Sequence, residues 1–153
     1  MVVFVTDFIN TIQKKVAKKS ISCTIRLEKD MQANDCTDVG YTFDVNILPQ
    51  SVRLFYSYVH YINIYAPKHF ELLSLQQMYC IDHRYIVFSK MDKINLIAFD
   101  IGNYNRIDDE FDIVSVHDKY IITKTFSSFI TNKVWAWVNR GRVIWKQEFF
   151  EAN

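Results

Sequence analysis

The sequence predicts an α+β fold: a single domain with a twisted, mostly antiparallel sheet and helices packed against it. Three observations carry that expectation. Several segments alternate apolar and polar residues with a period of two, as half-buried strands do. Others repeat their apolar residues every three or four positions, as helices do. The two kinds follow one another without regular strand–helix–strand alternation, which argues against a parallel α/β sheet. At 153 residues the chain is the size of one domain. Trp, Tyr and Phe make up 16% of it, and it has only 3 Gly and 2 Pro. That supply of core formers excludes disordered, collagen-like and linker-dominated chains.

The elements follow in order. Val5, Phe8, Ile9, Ile12 and Val16 predict a helix from Val3 to Lys18, with Lys14, Lys15, Lys18 and Lys19 favourably placed at the negative end of its dipole. Ile21, Cys23, Ile25 and Leu27 alternate with polar residues and predict a strand, as do Tyr41, Phe43, Val45 and Ile47. The polar stretch from Glu28 to Gly40 between them reads as a loop. Pro49 suits the first position of a helix that carries Val52, Phe55, Tyr56 and Val59 to about His60. An extended segment at Ile62 to Tyr65 follows, closed by Pro67. A short strand is expected at His69 to Leu73, then a short helix capped by Ser74 and reaching about Cys80. Tyr85 to Phe88 and Ile94 to Phe99 predict a hairpin around Ser89 to Lys93. A loop rich in Asn and Asp precedes a second hairpin, Phe111 to Val116 with Tyr120 to Thr123, turning at His117 to Lys119. Phe126, Phe129, Ile130, Val134, Trp137 and Val138 share one helical face, and Gly141 stands where a glycine stops a helix. The tail from Val143 to Phe150 has no clear period; its apolar residues are expected to finish the core rather than form a dimer contact.

Charge and cysteine usage bound the function. A net charge of +1 gives no global field for nucleic acid or an anionic membrane. No apolar run approaches the roughly 18 residues needed to span a bilayer. Val2 to Val5 lack a preceding basic region and meet Asp7 at once, unlike a signal peptide. Cys23, Cys36 and Cys80 are an odd, scattered set, which favours the reducing cytoplasm.

No constellation of catalytic residues emerges. Glycines only at 40, 102 and 141 cannot build a phosphate-binding loop or a Gly-x-Ser-x-Gly elbow. Cys80 and His83 form one Cys-x-x-His pair without a second, so no metal site is expected, and Cys80 reads as a small buried hydrophobe. His117-Asp118 sits at a hairpin turn, where adjacent side chains on an extended chain point apart. His60 and His69 lie by aromatic or apolar runs and read as packing residues. No cofactor is implied, and the expectation is a protein that is not an enzyme.

What remains is an uneven charge map. From Asp100 to Asp118 there are six acids against Arg106 alone, a local net charge of −5. One reading is a solvated loop and hairpin. The functional reading is an acidic face for a basic partner, such as the substrate groove of a nuclease, built from Asp100, Asp108, Asp109, Glu110, Asp112 and Asp118 with Tyr104 as an aromatic anchor. Phe111 and Tyr120 lie close by in sequence.

The order of several segments resembles the SUKH superfamily, which includes fungal cell-wall-assembly regulators and bacterial immunity proteins. The helix start Leu48-Pro49-Gln50-Ser51-Val52-Arg53-Leu54-Phe55-Tyr56 is similar to that family's opening helix. Phe70 to Met78, Ile94-Asn95-Leu96-Ile97-Ala98-Phe99-Asp100, Ile113 to His117 and Thr125-Phe126-Ser127-Ser128-Phe129-Ile130 follow in the family's order. Two departures stand out: His60-Tyr61-Ile62-Asn63 lacks the glycine usual after the first helix, and residues 1–47 diverge. The implied organisation is one SUKH-like domain over 1–153, with a divergent opening at 1–47, a family-like core at 48–139 and a tail at 140–153 packed on it. The resemblance implies a mixed fold and no catalysis: an immunity protein that binds and neutralises a cognate toxin, often a nuclease. Apart from the resemblance, a cytoplasmic location follows from the cysteine usage, and a monomer is the favoured state. It supplies no fixed site residues. The alternative is a regulatory or scaffold module unrelated to toxins; gene neighbourhood separates the two.

Overall fold

The computed structural model describes residues 7–14, 22–30 and 42–146. The fold is α+β, an open twisted sheet of eight antiparallel strands with helices against it. Helix α1 covers 7–14, strand β1 Ser22–Leu27 and a 3-10 turn Glu28–Asp30. The rest of the expected first helix, including Lys15, Lys18 and Lys19, lies outside the described residues, as do Ile21, Tyr41, most of the 28–40 loop and Cys36. Then come a second 3-10 turn at Val45–Ile47, α2 at Gln50–Tyr58, β2 at Val59–Ala66 and β3 at Phe70–Leu72. Strands β4 (Tyr79–Ile81), β5 (Tyr85–Met91), β6 (Asn95–Asn105), β7 (Glu110–Ser115) and β8 (Ile121–Thr123) complete the sheet. The last helix begins as α3 (Phe126–Ser128), widens into a π-helical turn at Phe129–Lys133 and continues as α4 (Val134–Arg140).

The strands lie in the order β1-β2-β3-β5-β6-β7-β8. β4 joins β3 along one side of β5: Leu72 pairs with Ser89 and Tyr79 with Val87. β5 is buried along almost its whole length, as a central strand covered on both faces should be. A bulge at Phe88 breaks its register with β6 between Val87 and Ser89. Phe88 stacks on Phe99 with centroids 4.1 Å apart and meets Phe126 and Phe129 edge-on. Phe55 of α2 touches Phe8 of α1 and Phe126 of α3, so six phenylalanines tie three helices to the sheet. Aromatic pairs in such tilted and edge-on arrangements add to what burial alone supplies.

Local chemistry explains where elements start and stop. Pro49 is the N-cap of α2, one residue before the expected position. α2 ends at Tyr58 and passes directly into β2, so the missing glycine after this helix is not needed. Gly141 closes α4 with φ +66, in the left-handed region that glycine tolerates. Ile144 and Trp145 are buried, Trp145 edge-on to Trp137, so this part of the tail packs into the core; Phe149 and Phe150 lie outside the described residues.

Four expectations are corrected. The segment Tyr41 to Ile47 is not a strand in its described part, because the Asp44 carboxylate accepts the Asn46 N–H and stabilises a 3-10 turn. The helix expected from Ser74 to Cys80 is a single turn. Ser74 and Gln77 satisfy each other's backbone N–H groups, and Tyr79–Ile81 then pairs with β5 as β4. The loop expected after Phe99 is largely strand, since β6 runs to Asn105 and re-pairs with β7 beyond a bulge. Cys80 is exposed, on the outer side of the short strand β4.

Among the described residues no helix is long and apolar enough to cross a membrane.

Candidate protein-interaction surface

The sequence-predicted acidic residues all fall on the β6–β7 hairpin and the turn after it, but the fold divides them into different environments. Asp100 points inward and is 3% exposed. Arg84 grips it with two bonds, Nε to Oδ1 at 2.7 Å and the terminal nitrogen to Oδ2 at 3.0 Å, while the Gly102 N–H and Asn103 amide add two more. Burial alone would raise the Asp100 pKa, but these four donors outweigh it and hold the carboxyl below its ordinary value. Asp112, its register partner across the sheet, is half-buried. A Cβ on Gly102 would sit 2.9 Å from Arg84 Nε and 3.2 Å from Asp100 Oδ1, so a side chain there would press on the guanidinium where it closes on Asp100.

Asp109 and Glu110 serve helix starts. Asp109 Oδ2 accepts the Gln50 N–H at 3.0 Å, at the first residue of α2, where Pro49 offers no side-chain cap. Its Oδ1 accepts the Tyr104 hydroxyl at 2.6 Å. The Tyr104 hydroxyl and the Gln50 N–H hold the Asp109 carboxyl below its ordinary range, and the same bond raises the tyrosine. Glu110 is buried and accepts the Phe126 N–H at 3.1 Å at the start of α3, with the Ser51 hydroxyl at 3.5 Å. Burial raises its pKa; Phe126 and Ser51 pull it down, and the charges of Asp109 and Asp108 push it further up. Thr125 completes that helix start by accepting the Ser128 N–H.

Asp108 and Asp118 remain on the surface. Asp108 accepts the Asn105 amide at 3.0 Å. Asp118 comes within 3.8 Å of His117, because the hairpin turn brings together two side chains that an extended chain would separate; His117 is almost fully exposed. Asp100 and Glu110 are therefore corrected from contact candidates to internal groups. Asp100 is paired with Arg84 and Glu110 accepts the Phe126 N–H, since burial makes an unpartnered carboxyl costly.

The same hairpin carries an apolar feature. Ile47, Ile101, Tyr104 and Phe111 line an open groove of about 350 Å³. Phe111 forms its floor, and Tyr104 stands over Phe111 with ring centroids 5.2 Å apart. Tyr104 is 48% exposed yet pinned through its hydroxyl to Asp109. At the hairpin tip Ile107 is 95% exposed. Sequence reasoning named Tyr104 and Phe111 but missed Ile47, Ile101 and Ile107. The available signal was Ile107 itself, a lone aliphatic residue in the polar turn Asn105-Arg106-Ile107-Asp108-Asp109, where polar residues are the norm.

The histidines are used locally. His60 Nδ1 lies 2.9 Å from Glu28 Oε1. His69 Nδ1 accepts the Lys93 N–H, and its carbonyl accepts the Trp137 indole N–H, so it ties the β5–β6 turn to α4. A second cleft, of about 710 Å³, is lined by Ile9, Asn10, Gln13, Leu27, Glu28, Lys29, Ser57 and Tyr58. Among the described residues no group of three or more His, Cys, Asp or Glu is placed to hold a metal ion.

No protein-family model, curated protein or solved structure matches this chain.

Proposed function

We propose that this protein acts without catalysis, by binding another protein, and that its partner is a toxin that it neutralises. The observation that carries the reading is the groove at Ile47, Ile101, Tyr104 and Phe111, with Ile107 exposed on the same hairpin. An isolated exposed aliphatic residue is ordinary. Here it stands on the hairpin that also presents a half-exposed, rigidly held tyrosine over an apolar floor, the composition of an interface centre. Tyr104 is fixed before any partner arrives, so little side-chain freedom is lost on binding.

The toxin follows from the order of segments between Leu48 and Ile130 that resembles the SUKH superfamily, and a nuclease is the favoured kind because such enzymes carry basic substrate grooves. Cys23 and Cys80 are free thiols, which suits the cytoplasm. Co-expression with the toxin encoded by the neighbouring reading frame tests the reading. Protection of the cells and a complex that co-elutes on size exclusion are the expected results. Unprotected cells together with no complex overturn it in favour of a module that serves some other partner.

A further inference from the structure

Resting on the protein-binding reading, we infer that the groove on the β6–β7 hairpin accepts a partner segment in which a bulky apolar side chain is flanked directly by arginine or lysine. The floor and walls are apolar: Phe111 and the half-buried Ile101 below, Ile47 and the face of Tyr104 at the sides. They offer a knob-sized depression and, among these four side chains, only one polar group, the Tyr104 hydroxyl, which is already committed to Asp109. An inserted polar side chain would lose water there without gaining a partner.

The surroundings are acidic. Asp44 stands exposed in the turn that presents Ile47, and Asp108 and Asp109 follow Ile107 on the hairpin. Arg53, Arg106 and Arg84 are the nearby cations: Arg53 acts on Asp109, Arg106 on Tyr104, and Arg84 is bonded to Asp100 beside Ile101. Three acids, Asp44, Asp108 and Asp109, stand against Arg53 and Arg106, because Arg84 is paired with Asp100. The charges felt at Glu110, behind the groove, are those of Asp109 and Asp108. Asp108 is exposed, with one amide partner from its own turn, and retains acceptor capacity for an incoming cation. A segment with an apolar centre and cationic flanks therefore matches both the depression and its rim. An acidic segment would set like charges against one another.

The test uses the full chain, labelled with 15N, and two synthetic peptides that differ only in charge, acetyl-Ser-Arg-Leu-Lys-Ser-amide and acetyl-Ser-Glu-Leu-Glu-Ser-amide. The basic peptide is expected to shift the amides of Ile47, Ile101, Tyr104 and Phe111 saturably, about tenfold more tightly than the acidic one, and to weaken as salt is raised. Asp108→Lys and Ile47→Lys, both at exposed positions, should each lower that affinity about tenfold while leaving the remaining spectrum in place. Equal binding of the two peptides, shifts confined to other residues or no binding at all would overturn the inference. So would shifts of these four residues on concentrating the protein alone, which would mean that a second copy fills the groove. Cells that stay protected from the neighbouring toxin by both variants would leave neutralisation standing and remove this groove from it. A groove that binds the basic peptide in a protein that neutralises no toxin would do the reverse.

Discussion

Asp109 and Glu110 are adjacent in sequence, yet their carboxylates cap two different helices, Asp109 at the Gln50 N–H of α2 and Glu110 at the Phe126 N–H of α3. Asp109 ends the hairpin turn with φ +52, in the left-handed region, and Glu110 opens β7; that change of backbone direction lets one dipeptide hold both helix starts against the β6–β7 hairpin. Each carboxylate meets the positive end of a helix dipole where backbone donors lack an internal partner. The hairpin that presents Tyr104 and Ile107 is thereby braced from below.

Glu110 makes the protein's stability depend on pH in a defined direction. Its folded-state pKa lies above its unfolded one, so the stabilisation it contributes is complete below the ordinary glutamate value and is lost as pH rises through the folded value. Glu110→Gln keeps an oxygen for the Phe126 N–H but carries no charge. Thermal melts should show the variant level with the wild type at low pH and equal or higher in Tm at pH 7. A variant that loses Tm at pH 7 would show that the ionised carboxylate stabilises the fold.

Asp100 works with the opposite sign. Its folded value is depressed, so its contribution is present above the ordinary aspartate value and fades as pH falls through the folded one. Asp100→Asn weakens the bonds from Arg84 and is expected to cost about 2 kcal/mol by urea denaturation at pH 7. Arg84→Ala should lower the melting temperature further, because it strands a buried carboxylate, whereas the Arg84 head is half exposed and can turn to water. The reverse order would mean that Gly102 and Asn103 satisfy Asp100 without the guanidinium.

Tyr56 is buried on α2, and its hydroxyl has no hydrogen-bond partner among the described residues. Burial also raises its pKa well above the ordinary tyrosine value. Removing that hydroxyl removes an unsatisfied polar atom. Tyr56→Phe should therefore leave stability unchanged or raise it by about 1 kcal/mol, read from the urea midpoint. A loss of stability would reveal a partner for the hydroxyl.

The stacked pair Phe88 and Phe99 lies where three helices meet the sheet. Phe99→Ala is expected to cost about 3–5 kcal/mol, enough to unfold a marginal domain. Ile107→Asp, at the exposed tip, should change stability by no more than about 0.5 kcal/mol. Circular dichroism melts of the two variants side by side check whether core and tip differ as their exposures do.

The sequence by itself determined the α+β class, the helical stripe on α2, the core face of the last helix and the stop at Gly141. Each follows from a local period or a single residue's backbone preference, which neighbours along the chain already express. It also marked the acidic stretch from Asp100 to Asp118, but as a sum of charges. Only the tertiary structure decided what each charge does: residue 84 reaches residue 100 across a strand pair, and residues 109 and 110 reach residues 50 and 126 across the fold. Those partners are chosen by strand register and helix placement, which no local pattern encodes. The groove is set in the same way, since Ile47 joins Ile101, Tyr104 and Phe111 only once the 3-10 turn packs against the hairpin.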